Sequence, residues 1–178
     1  MKNNILWITR TAVLTALLIV MQTVTSAFGN TLVTGSIVNL ILIISVMTCG
    51  LSTGLTVAVV SPMCAKLLGI GPLWSLIPFI IAGNIILVII WYFIGNSKIW
   101  KKNFSYIIAL VIAALSKFLI LYLGIVQIAI PILLNLPKPQ ATIISNMFSI
   151  PQLFTALLGG ILAIIALPFL KRSVKTYQ

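Results

Sequence analysis

Residues 73–94 form a run of 22 positions without one charged side chain. A stretch of that length closes its backbone hydrogen bonds within a helix and crosses the hydrocarbon of a bilayer. Five further apolar segments accompany it, at 7–28, 34–49, 53–68, 104–124 and 146–170, the second near the minimum length for a crossing. Gly29 and Asn30 end the first segment, Gly50-Leu51-Ser52-Thr53-Gly54 turns the second into the third, and Gly69-Ile70-Gly71-Pro72 breaks the helix again. Residues 125–145 hold Pro131, Pro137 and Pro139 with Asn135 and Lys138, and are expected to form a partly apolar loop or lid. The expected fold is therefore an all-α integral membrane protein, with six transmembrane helices bundled in one membrane domain over residues 1–178. The basic N-terminus and the apolar run after it superficially resemble a secretory signal. The run is too long for a signal core, and Thr25-Ser26-Ala27-Phe28 is a poor cleavage site.

Composition narrows the chemistry. Hydrophobic residues make up 61% and charged residues 6% of the chain, against about a quarter charged in a soluble domain. There is no Asp, Glu or His, which removes paired carboxylates, histidine bases and the usual metal-ligand clusters. No enzyme activity, metal or cofactor is expected. Cys49 and Cys64 fall in segments placed near opposite membrane faces, so they read as buried free thiols rather than a disulfide.

The net charge of +11 does not mark a nucleic-acid surface, because the charges sit at segment ends. With both termini in the cytoplasm, Lys2, Arg10, Lys98, Lys101, Lys102, Lys171, Arg172 and Lys175 fall on the inner side and Lys138 alone on the outer. That asymmetry predicts the orientation.

Two lysines remain inside helices. Lys66 and Lys117 each lie 13 residues beyond the expected inner ends of their helices at 53 and 104, which is roughly 20 Å along the axis. A lysine at such depth pairs with an acid, faces water or snorkels to the headgroups, and this chain has no acid side chain. Snorkelling and ligand binding are both open for Lys66; for Lys117, further from its helix end, a ligand is favoured. Asn39 and Gln152 count to the same outer third and Asn84 to nearer the midplane, where a helix–helix hydrogen bond would equally explain it. Lys66, Lys117, Asn39 and Gln152 are expected to converge on one outward-facing cavity. Trp74, Tyr122 and Gln127 are candidates for its mouth, although Trp and Tyr more often anchor a helix at the interface.

The first segment carries Ala12 and Ala16, four residues apart on one helix face and flanked by Thr11 and Thr15. The smooth strip suits close approach of another membrane helix, either a partner's or one within the chain. Six helices in fewer than 200 residues, this alanine strip and an outer polar site resemble the substrate-binding S component of energy-coupling factor (ECF) transporters. Gly35-Ser36-Ile37-Val38-Asn39, Ser61-Pro62 and Ile77-Pro78-Phe79 with Asn84 look like a subfamily of unsettled substrate.

The resemblance implies a small bacterial plasma-membrane protein that binds a vitamin-like micronutrient from outside. It implies docking through Ala12 and Ala16 to a transmembrane coupling protein with two cytoplasmic ATPases, and gating connections at 29–33, 69–72 and 125–145. A site of lysines and amides without acids favours an anion over a thiamin-like cation. Pantothenate, nicotinate and lipoate fit that chemistry, pantothenate best because its hydroxyl and amide groups match Asn39, Asn84 and Gln152. Two other readings stand beside this one. One is an accessory membrane subunit without a ligand, its lysines paired with a neighbour's acids. The other is a secondary carrier, a class that often couples through an intramembrane acid that this chain lacks.

Overall fold

The computed structural model describes residues 2–71, 73–97, 101–134 and 136–176. Pro72, Lys98 and Asn135 lie outside the described residues, as do the side chains of Lys2, Arg172 and Lys175. Among the described residues there is no strand. The helices are α1 (Lys2–Ser26), α2 (Thr31–Cys49), α3 (Leu51–Leu67), α4 (Ile77–Gly95), α5 (Lys102–Leu121), α6 (Lys138–Met147) and α7 (Ile150–Thr176). A 3-10 turn, Trp74–Leu76, leads into α4, and α5 continues as a π-helix over Tyr122–Leu134. Five helical segments are long and apolar enough to cross a membrane. The 17-residue α3 is shorter, roughly 25 Å at 1.5 Å per residue, and packs against α1, α2 and α4. The chain is thus an all-α membrane bundle of six long helices with the short α6 beside it.

Local chemistry explains the joints. Asn30 caps α2, its side-chain oxygen accepting from the N–H groups of Leu32 and Val33 at 3.0 and 3.4 Å. A single residue, Gly50, joins α2 to α3 at φ 92°, a left-handed conformation that a side chain would strain. Pro78 stands in the first turn of α4, where its missing N–H leaves no bond unmade.

The stretch 125–145, expected as a loop or lid, differs from that expectation: it is helical over most of its length. Pro131 lies in the π-helical part, whose wide turns accommodate the ring, and Pro137 and Pro139 stand at the cap and first turn of α6. The prolines therefore occupy helix positions that tolerate them. Ala141, Ile144 and Met147 of α6 pack on a cluster of Leu76, Leu121, Ile125, Ala129 and Phe148.

α2 is the central helix, in contact with α1, α3, α4 and α7. Of its apolar window 44% is buried, against 11% for α1, which lies at the edge of the bundle. The main core joins Leu42, Val46, Val57, Leu87, Trp91, Ala109 and Leu167 from α2, α3, α4, α5 and α7. α1 runs toward the end of the bundle where its connection to α2 lies, and α7 starts at that end, so the start of α1 and the end of α7 lie at the opposite end.

Candidate functional site: a lysine cavity at the end opposite the termini

Lys117 of α5 is 4% exposed. Its ammonium donates to Asn39 Oδ1 of α2 at 2.6 Å and to Asn84 Oδ1 of α4 at 2.7 Å. Both amides are themselves held. Pro62 has no N–H to offer the Ala58 carbonyl one turn back in α3, and Asn84 Nδ2 donates to that carbonyl at 3.5 Å. The proline thus fixes which way the Asn84 amide points, oxygen toward the lysine. Asn39 Nδ2 donates to Thr155 Oγ1 of α7 at 3.4 Å, and Thr155 in turn donates to the Gln152 carbonyl at 3.0 Å.

Two glycines make this possible. A Cβ on Gly159 of α7 would stand 2.5 Å from the Ser36 carbonyl oxygen and 2.7 Å from Asn39 Cβ, and one on Gly35 of α2 would meet Thr155 Cγ2 at 2.8 Å. Only glycine lets α2 and α7 approach closely enough for Asn39 and Thr155 to meet.

A cavity of about 260 Å³ opens over this cluster, near the lower end of ligand-sized sites. Lys117, Asn39 and Asn84 line it, with Gln22, Ser61 and Gln152 as further polar walls and Val38, Ile80, Leu121 and Phe148 as apolar ones. The connections at Gly29, Asn30 and Gly71 border it. An ammonium carries three donors, and two are spent on the amides. Amide dipoles solvate the charge without neutralising it, and no Asp or Glu exists to do so. The pocket is thus built around one amine, two of its bonds made to amide oxygens among the described residues.

The structure brings Lys117, Asn39, Asn84 and Gln152 to this cavity; Lys66, Gln127 and Trp74 are not among its lining residues. Lys66 is half-buried in the last turn of α3. Trp74 is 54% exposed in its 3-10 turn. Gln127 is exposed on the π-helix and donates to the Tyr122 hydroxyl at 3.0 Å. The convergence expected for Lys66, and the mouth position expected for Trp74, Tyr122 and Gln127, are therefore not seen: none of the four lines the cavity. Residues not anticipated are Thr155, which holds Asn39, and Gln22, Thr34 and Ser61 in the lining. Pro62, four residues after Ala58, was the readable signal for a free carbonyl that a polar neighbour would meet.

On α1 the two faces differ. Thr11 is buried, its hydroxyl donating to Thr53 Oγ1 of α3 at 3.2 Å, and Leu18 is fully buried. Ala12 and Ala16 are exposed, beside exposed Val13, Leu17 and Val20.

A helical membrane bundle that opens at one end a mainly apolar cavity with a few converging polar side chains is the architecture of a membrane-embedded binding protein. The family model of the ECF transporter, substrate-specific component, matches residues 7–170, and the chain belongs to that family. No curated protein and no solved structure matches the chain. Members of the family are transporter subunits rather than enzymes, and the chain is a multi-pass, substrate-binding membrane subunit of an ECF importer. That takes the place of the accessory-subunit and secondary-carrier readings.

Proposed function

We propose that the Lys117 cavity captures a small anionic, vitamin-like nutrient, with a pantothenate-like carboxylate as the best-fitting ligand. The observation that carries this is a buried ammonium, held by two amide oxygens at 2.6 and 2.7 Å, in a chain without an acid side chain. A carboxylate would supply the missing counter-charge to the remaining donor, whereas a cation would add to an uncompensated positive field. Asn39, Asn84 and Gln152 are the groups that hydroxyls and amides of such a ligand would meet. Both termini face the cytoplasm in this reading, so the cavity opens outward. Ala12 and Ala16 form the face that docks on the transmembrane coupling protein, whose two ATPases drive release.

The test is binding of radiolabelled pantothenate, nicotinate and lipoate to the purified chain, with thiamin as the cationic control. One of the acids should bind, and Lys117→Gln should weaken it by about 100-fold, as expected when one partner of a buried charge-assisted bond is removed. Thiamin binding, or an acid held equally well by Lys117→Gln, would remove the anion reading. The docking face is tested separately: the double variant Ala12→Trp/Ala16→Trp should abolish uptake in cells while binding stays within about twofold, since two bulky rings prevent close helix approach. If binding falls as well, the strip serves internal packing.

A further inference from the structure

The end of the bundle where α1 starts and α7 ends holds a second cationic feature, unrelated to the nutrient cavity. Tyr106 of α5 is buried, and two ammonium groups approach its ring: Lys102 Nζ at 6.0 Å and Lys171 Nζ at 5.9 Å from the centroid. Lys171, on α7, also donates to the Tyr106 hydroxyl at 3.5 Å. The two cations are near enough to repel each other, and no Asp or Glu side chain exists to pair with either. The start of α5 adds to the positive field. Lys101 at its cap makes no side-chain bond to the first turn, and the positive end of the helix dipole lies there. Lys102 is exposed and Lys171 half-buried, while Phe104, Ile107 and Phe169 present exposed apolar surface on the same two helices.

Two ammoniums and a phenol can all donate here, within a membrane-spanning bundle. We propose that this is a binding site for the phosphate of an anionic phospholipid in the leaflet at this end of the bundle. The bound phosphate relieves the repulsion between Lys102 and Lys171 and ties α5 to α7, the helices that position Lys117 and Thr155. Basic pockets between membrane helices recognise acidic headgroups in this way.

The full chain in detergent, offered equal amounts of phosphatidylglycerol and phosphatidylcholine and read by native mass spectrometry, should retain one phosphatidylglycerol with about tenfold preference. Lys171→Gln should reduce that preference about fivefold, and Lys102→Gln/Lys171→Gln should abolish it. Lys138→Gln, the same charge change at the other end, should leave it intact. Lys102→Gln alone, at an exposed position, gives the same readout should the double variant fail to insert. A preference that survives in the double variant, or falls equally in Lys138→Gln, overturns the proposal. Displacement of the lipid by millimolar inorganic phosphate shows that the site takes a free anion and overturns the lipid assignment.

Discussion

Lys117 and Lys66 stand at the same distance along their helices by counting, yet the fold treats them differently. Lys117 sits in the middle of a 33-residue helical segment, Lys102–Leu134, with α2 and α4 on either side presenting asparagine oxygens. Lys66 sits in the last turn of a 17-residue helix, next to the exposed Leu67 and Leu68. One has its amine held by two amides in the wall of a cavity; the other is half-buried at a helix end, where a four-carbon stem can reach headgroups. Depth along a helix therefore sets how much a charge must be solvated, and the neighbouring helices set what solvates it. The two amides that hold Lys117 depend on features far apart in sequence: Pro62 freeing the Ala58 carbonyl for Asn84, and Gly159 admitting Asn39.

The contrast breaks most sharply if Lys117 is given an acid. Asn84→Asp would place a carboxylate where an amide oxygen now accepts at 2.7 Å from the ammonium. The pair neutralises the pocket, so binding of an anionic ligand should fall by about 30-fold or more while the protein stays folded. Undiminished binding in equilibrium dialysis would mean that the Lys117 charge is not what the ligand reads. A smaller effect comes from the supports. Gly159→Ala puts a Cβ against the Ser36 carbonyl and Asn39, forcing α2 and α7 apart. Overpacking of this kind costs about 1–3 kcal/mol, so the thermal midpoint in detergent should drop and ligand affinity should weaken severalfold through the lost Asn39–Thr155 bond. An unchanged midpoint would mean that the helix contact is looser than the glycine spacing indicates.

Much of the fold was legible because apolar runs of crossing length admit only helices in a bilayer. Lys117, Asn39, Asn84 and Gln152 were legible for a related reason: groups that need partners stand out against apolar surroundings. The hydroxyls were not. Ser36, Ser45 and Thr48 donate to carbonyls of their own helix four residues back, as serines and threonines in membrane helices do. Nothing in the sequence separates them from Thr155, whose hydroxyl also accepts from Asn39 across the α2–α7 contact. The helices within 125–145 were hidden by prolines, which read as breakers although Pro137 and Pro139 stand at the start of α6, where a missing N–H is harmless. Trp74 and Gln127 were expected at the cavity mouth and are not among its lining residues. They stand in a 3-10 and a π-helical stretch, where the face a residue takes departs from the 3.6-residue period.

The smallest predicted effect is also the one that tests the contrast from its other side. Lys66 lies in the last turn of α3, where its own carbonyl accepts from the Gly69 N–H at 3.0 Å and the helix end presents partial negative charge. A cation there gains about 0.3–1 kcal/mol from the helix dipole, so Lys66→Gln should lower stability by no more than that. Because the side chain is absent from the cavity lining, ligand affinity should stay within about twofold, the remote charge being screened over roughly 8–10 Å at ordinary ionic strength. A tenfold loss on Lys66→Gln would mean that both lysines neutralise one ligand, which requires the end of α3 to turn inward when the ligand binds. The two lysines would then be halves of one site, and a doubly charged anion rather than a monocarboxylate would be the nutrient to seek.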